Sequence, residues 1–449
     1  HWVIPDLDTK TLKARRSAAT QHQFLEVASA EEALERFRTA LDPRPIGTER
    51  VTLPDALGRV VSAHVESPVD VPGFDRANVE GFAVRARDTE TAREDQPVRL
   101  RLTDEVLTPG RVPVHTVGPG AATVIATGAM LPRGADAVVL VEQTELSEEG
   151  DAQWAEISAV SPAGAFVTFA GTDIGRGETV LRAGQILTSR EIGLLAAVGL
   201  AQVEVFRRPR IAVISTGDEL IPPGGAHRPG GVYDSNAAIV AAALEELGCE
   251  PVRLGIVPDD RAAQREALQR GLACDGVILS GGTSKGAGDL SYSVVAELED
   301  PGVVVHGVAI KPGKPLCLAV SAGKPVVILP GFPTSAIFTF HQFVAPMLRR
   351  LAGRPEQAPE QVEAELPMRT GSEPGRTEFL MVGLMRGPDG YAAYPMGKGS
   401  GAVTAFSLAD GFVRIPANTE RLPAGTRVRV EVLSRGLRPA DLVTVGSHC

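Results

Sequence analysis

The chain has few cysteines, no histidine pair, no basic excess and no long apolar run, and each shortage removes a class of function. Cys249, Cys274, Cys317 and Cys449 are its four cysteines, widely spaced and without a C-x-x-C. They exclude a zinc knuckle and fit buried thiols in a reducing cytoplasm. The eight histidines form no H-x-x-x-H or H-E-x-x-H, so a histidine-held metal is not expected. A net charge of −10 argues against a nucleic-acid partner. It still allows a small anionic ligand, because local lysines and glycine loops can reverse the field at one site. The longest apolar stretch, Ile192 to Val205, is short and broken by Gln202 and Glu204. With no secretory core at the N-terminus, the reading is a soluble, cytoplasmic protein with no membrane partner.

What is present reads as several domains, since 449 residues exceed what one core serves. Residues 1–23 are polar and aperiodic, a tail. Ser29-Ala-Glu-Glu32 is a capping box opening an amphipathic helix that Pro43 stops. A short helical segment around Ala56 and Leu57 and then a strand follow. From Phe82 to about Glu156, short β-type runs broken by Pro and Gly indicate a small β domain. A second capping box, Thr188 to Glu191, starts a helix leading to residue 210.

Beyond it, strands at 210–215, 251–257, 276–280 and 303–309 alternate with helices at 236–247, 261–273 and 291–299, and a last helix runs from Ser335 to Leu351. That spacing implies a mostly parallel sheet covered on both faces. Residues from about 358 to 438 are again β, with Arg427 to Leu433 the clearest strand. The expected class is multidomain α/β: a three-layer α/β domain, N-terminal mixed and β domains, and a C-terminal β-barrel-like domain. The expected boundaries are 1–23, 24–66 with 160–205 (linker and dimerisation), 67–159, 206–355 and 356–449.

Chemistry concentrates where strands of the α/β domain end. Thr216-Gly217-Asp218-Glu219 breaks a buried strand into an acidic turn, and Gly255-Ile-Val-Pro-Asp259-Asp260 precedes a helix that either aspartate could cap. Ser280-Gly281-Gly282-Thr283-Ser284-Lys-Gly-Ala-Gly-Asp289 offers many unobstructed amides plus hydroxyls, an anion cradle without Walker A spacing. Gly282 to Gly286 also matches G-x-S-x-G, so a hydrolase using Ser284 with His306 or His341 as base is an alternative. Against it, no immediate helix follows and no His-Gly-Gly lies upstream. Lys311-Pro-Gly-Lys314 places two ammonium groups on a stiff turn suited to an oxyanion. Pro330-Gly-Phe-Pro-Thr-Ser335 ends at a helix start, and Tyr233-Asp-Ser-Asn236 begins another. Any metal is expected to be Mg²⁺, held by carboxylates and ligand phosphates.

Taken in order, these motifs resemble the MoeA family of molybdopterin molybdenumtransferases, which includes the gephyrin E-domain, over nearly the whole chain from about residue 24. The resemblance implies Mg²⁺-dependent insertion of molybdate into adenylylated molybdopterin with release of AMP. It implies Glu219 and Asp289 as metal and catalytic carboxylates, with Asp259 or Asp260 beside them. Asp173 and Thr127 match family positions further upstream. Lys314, Ser335, Arg376 and Ser400 match molybdate contacts. A homodimer is implied, in which the carboxylate of Glu80 completes the partner's site. Molybdopterin adenylyltransferase and molybdoenzyme maturation factors are the protein partners the resemblance allows.

Three departures stand out. The family's F-D-N-S-A-M-D-G-Y-A reads Phe74-Asp-Arg-Ala-Asn-Val-Glu-Gly-Phe-Ala83, so its aspartate is Glu80. Its P-G-N-P reads Pro330-Gly-Phe-Pro333, and Lys285 enters the glycine loop. They leave open a tungstate-specific paralogue or a non-catalytic pterin-binding scaffold.

Overall fold

The computed structural model describes residues 27–281, 290–356, 358–387, 390–397 and 403–433. Arg50–Val205 form one compact unit; the described residues up to Glu49, with those from Phe206 onward, form a second.

In the first unit six strands make one sheet in the order Ala137–Leu140, Gly81–Val84, Ala121–Ile125, Val98–Leu107, Ala152–Ile157, Thr144–Glu149. Gly81 is obligatory here, because a Cβ would strike the Val139 carbonyl. Phe82, Leu100, Val139 and Ile157 fill one core. A separate core of Ala56, Val61, Leu187, Leu195 and Val205 lies beneath the helix Ser189–Ala197. Thr188 and Glu191 do cap that helix reciprocally. The helical segment expected around Ala56 is a single 3₁₀ turn at Leu53–Asp55, with Pro54 in its first turn.

The second unit is built on β1 (Arg210–Thr216), β2 (Glu250–Val257), β3 (Gly276–Ser280), β4 (Pro301–His306), β5 (Cys317–Ser321) and β6 (Lys324–Leu329). Their order in the sheet is β2-β1-β3-β6-β5-β4. The first four are parallel; β1, β3 and β6 are near-continuous apolar runs, as strands buried on both faces require, while β2 is the half-exposed edge. β5 alone runs against the rest, antiparallel to both β6 and β4, so the sheet is mostly parallel as the spacing implied. The cause is local: Ala322 and Gly323 both take positive φ (49° and 72°), which makes a two-residue hairpin between β5 and β6.

One face of the sheet packs on α1 (Ala30–Leu41) and α2 (Ser235–Glu246), the other on α3 (Arg261–Gly271) and α4 (Leu290–Val295). Ser29 Oγ accepts from the Glu32 amide at 3.1 Å as the capping box requires. Phe37 and Leu41 then drive α1 into the α/β core, although the sequence reading grouped this helix with the linker. The last helix is broken: α5 (Pro333–Thr339) passes through a π turn at Phe340–Val344 before the helix resumes at Ala345–Leu351. Downstream, Gln361–Leu366, Thr377–Gly387, Gly390–Pro395, Gly411–Ile415 and Thr426–Val432 close into a five-stranded barrel. Phe338 of α5 stacks on Phe379 of the barrel, with ring centroids 5.7 Å apart.

Candidate functional site

Register places the site. Across the parallel strands Thr216 lies opposite Val257, Ser215 opposite Ser280, and Ser280 opposite Leu329. The loops leaving β1, β2, β3 and β6 therefore emerge at one sheet edge, the carboxyl end at which open α/β sheets bind ligands. Thr216, Gly217, Asp218, Glu219, Asp259, Asp260, Ser280, Gly281 and Ser335 all belong to this edge. Gly282, Thr283, Ser284, Asp289 and Ser400 lie outside the described residues, as does the serine of the hydrolase alternative. Of its two candidate bases, His306 stacks on Tyr292 with ring centroids 3.8 Å apart, and His341 is exposed on the π turn.

The acidic turn is tightly built. Gly217, at φ 147°, donates its amide to the Val257 carbonyl at 3.2 Å. The Glu219 carboxylate folds back over the space that a Cβ on Gly217 would take. Arg228 donates to the Asp218 carbonyl, and Asp218 Oδ1 accepts from the Asp259 amide at 3.2 Å. Asp260 is the cap of α3, accepting from Ala263 at 2.8 Å. That separates the two aspartates: Asp260 is spent on the helix, and Asp259 faces the other acids. Partial desolvation, then the charges of Asp218 and Glu219, push the Asp259 carboxyl up from the ordinary aspartate range.

Beneath this turn runs a polar chain that sequence reasoning missed. Gln264, fully buried on α3, offers Nε2 to Asp259 Oδ1 at 3.4 Å and accepts from Ser291 Oγ at 3.0 Å. Ser291 Oγ in turn sits 3.3 Å from Thr216 Oγ1. The available signal was a glutamine at i−3 and i−4 to Ala267 and Leu268, on the face the helix buries.

All donors here are hard oxygens, which suit Mg²⁺ rather than a softer ion. Among the described residues no three His, Cys, Asp or Glu side chains converge as a metal centre, and Asp289, expected to act with Glu219, is not among them.

The lysine turn divides its two charges. Lys311 Nζ is held 2.8 Å from Glu373 and 3.8 Å from the buried Glu378, both in the segment that enters the barrel. Ile310 and Lys311 pair in register with Thr377 and Glu378, which brings Arg376 beside the turn. Arg376 itself lies 3.9 Å from Glu373. Lys314 stands half-buried at the other end of the turn.

Glu80, Thr127 and Asp173 belong to the first unit and are all exposed there. Hydrogen bonds draw their segments around residues 71–80: Gly128 to Ala77 at 2.8 Å, Asn78 to Phe166 at 2.8 Å, and Asp173 to Val71 at 3.0 Å. The three fall on neighbouring segments of one ledge although they lie far apart in sequence.

Cys249, Cys274 and Cys317 are buried, as expected, Cys449 lies outside the described residues, and burial pushes the Cys249 thiol up to about 12. Among the described residues no helix is long and apolar enough to cross a membrane.

Family models cover the chain in order. Residues 28–199 match the MoeA N-terminal region (domain I and II), 212–350 the probable molybdopterin binding domain, and 363–433 the MoeA C-terminal region (domain IV). A curated relative from Mycobacterium tuberculosis, molybdopterin molybdenumtransferase 2, is 35% identical over 86% of this chain and 95% of its own length. A molybdopterin molybdenumtransferase from Haemophilus influenzae is 33% identical over 87% and 95%. Two solved structures of MoeA proteins from Pyrococcus horikoshii superpose with TM-scores of 0.80 and 0.69, at 40% and 30% identity, over 91% of this chain and all of theirs. Sheet-edge geometry, domain order and relatedness along most of its length agree: the chain belongs to the MoeA family, that of the molybdopterin molybdenumtransferases.

Proposed function

We propose that the protein acts in molybdenum cofactor biosynthesis, cleaving the phosphoanhydride of adenylylated molybdopterin and inserting molybdate into the pterin dithiolene, with AMP as the other product. The observation that carries this reading is the register that brings the ends of β1, β2, β3 and β6 to one edge. The anhydride is a polyanion, and that edge carries the hydroxyls of Ser280 and Ser335 for its phosphates, with carboxylates to hold a counter-ion. Bound Mg²⁺ would neutralise charge on the phosphates, and Glu219 with Asp289 would hold it. Asp259, next to Asp218 and Glu219, would orient an attacking water, with Gln264 behind it. Lys314 and Arg376 would bind the oxyanion, together with Ser335 and Ser400. Lys311 would act through Glu373 and Glu378, which already balance its charge.

We further propose a cytoplasmic homodimer in which Glu80, Thr127 and Asp173 of one subunit complete the site of the other. Substrate would come from a molybdopterin adenylyltransferase, and maturation factors of molybdoenzymes would take the product. The decisive measurement is AMP release from adenylylated molybdopterin with Mg²⁺ and either molybdate or tungstate. Release stimulated by molybdate supports the reading, and no release with either oxyanion overturns it. A second reading, a tungstate-specific or non-catalytic pterin-binding scaffold, draws on Phe332, which is 61% exposed where the family has an asparagine. Selective stimulation by tungstate, or pterin binding without AMP release, would favour it.

A further inference from the structure

Asn236 sits near the start of α2 and is 8% exposed. Its Nδ2 donates to Ser280 Oγ at 2.8 Å and to the Gly331 carbonyl at 2.9 Å. Oδ1 is buried with no hydrogen-bond partner among the described residues. The amide has one sensible orientation, because turning it over would set Oδ1 against the Gly331 carbonyl oxygen. The two segments it joins are already close: a Cβ on Gly331 would lie 3.8 Å from Gly281 Cα, and the Gly281 amide reaches the Leu329 carbonyl at 3.4 Å. An Asn that spends both donors on a strand end and a loop carbonyl, and leaves a buried acceptor with no described partner, is poorly explained by stability alone, since an orphan oxygen is a cost.

We infer that Asn236 is a positioning residue for the site, clamping the end of β3 at Ser280 to the Gly331-Phe332 loop that leads to Ser335. It also sets the polarity of Ser280. By donating to Ser280 Oγ it leaves the hydroxyl proton to be given elsewhere, which makes Ser280 a hydrogen-bond donor, the polarity an anionic ligand requires. The inference rests on the phosphoanhydride reading for the identity of that ligand, but the clamp stands on the geometry alone.

Asn236→Asp separates the two. A carboxylate there accepts from Ser280, reversing the hydroxyl, and repels the Gly331 carbonyl. The added negative charge near a helix start offsets destabilisation, so the melting temperature should change little. The full-length variant should bind AMP, measured calorimetrically with Mg²⁺, about tenfold or more weakly. Hydrogen exchange of the peptide covering residues 329–333 should accelerate. Ser280→Ala, a second variant, should weaken AMP binding while leaving exchange at 329–333 near that of the wild type. Unchanged AMP affinity and unchanged exchange in Asn236→Asp would overturn the inference, as would a fall in melting temperature with affinity and exchange intact. If the wild type binds no AMP, the phosphoanhydride reading fails, and exchange at 329–333 then decides the clamp by itself.

Discussion

A Cβ placed on Gly217 would lie 2.5 Å from Oε2 of Glu219, so a side chain two residues before the carboxylate would push it from its place. Gly217 also takes φ 147°, where other residues are strained. The relationship predicts paired behaviour. Gly217→Ala should displace Glu219 by about an ångström and lower AMP release roughly 10²-fold, as an equivalent misplacement does at other sites. Glu219→Gln, which removes the charge without moving the turn, should lose a similar or larger factor. Wild-type turnover in both variants, measured as AMP released per minute, would show that Glu219 plays no part.

Lys311 and Lys314 should separate in experiment. Because Lys311 is paired with Glu373 and Glu378 and is partly exposed, Lys311→Met should cost at most about 1 kcal/mol of stability, an effect that shrinks in high salt. Lys314→Ala should instead weaken molybdate binding with little change in melting temperature. Calorimetric titration with molybdate alongside thermal melts of both variants makes the comparison; equal losses of affinity would mean that the pairing of Lys311 does not withdraw it from the site.

Helix α3 is also tied to the turn after α4, where Arg261 and Arg265 grip Glu297, with Arg265 2.9 Å and 2.7 Å from its two oxygens. The hydrogen bonds from Arg265 and then Arg261 hold its carboxyl down at about 2, below the ordinary 4.5. A folded-state pKa below the unfolded one contributes stability that is complete above the unfolded value and lost as pH falls through the folded one. Glu297→Gln should therefore flatten the decline in stability between pH 4.5 and about 2, with the difference reduced in high salt because the group is solvent-screened. Urea midpoints at several pH values test this, and parallel curves for variant and wild type would remove the linkage.

The proposed homodimer is open to complementation. A Glu80→Gln chain mixed with an Asp289→Asn chain should yield hybrid dimers carrying one intact site, and part of the activity should return. Persistent inactivity despite demonstrated subunit exchange would mean that each chain builds its site alone.

Much of the edge was legible because strand-end chemistry is local. A buried apolar run that breaks into Gly, Ser or Asp announces both the strand and the loop leaving it, as at Thr216 and Ser280. Parallel order followed from spacing, up to the point where Ala322 and Gly323 turned the chain back on itself. What spacing could not supply was pairing across long separations. Lys311 meets Glu373 from 62 residues away, and Ser291 meets Gln264 from 27, so neither the neutralised lysine nor the chain behind Asp259 has a local signature. Asn236 lay within a motif read for its helix start, and its partners Ser280 and Gly331 are 44 and 95 residues distant. The break in the last helix was equally hidden, since Ser335 to Leu351 keeps its apolar character through the π turn.

On the proposed reading, Glu80 is the substitution expected to bear most directly on which oxyanion is used. It is exposed, it directly precedes the sterically obligatory Gly81, and it carries one methylene more than the family's aspartate. Gly81 fixes the backbone at this point, so the extra length is expressed at the carboxylate, which should sit about an ångström further out. Glu80→Asp should therefore raise molybdate-stimulated AMP release and shift the preference between molybdate and tungstate. Glu80→Gln keeps the length and removes the charge, and should lower release with both oxyanions. Turnover and oxyanion preference measured for the pair would distinguish geometry from charge; if neither variant differs from wild type, Glu80 is a polar loop residue and the divergence at this position has no bearing on the reaction.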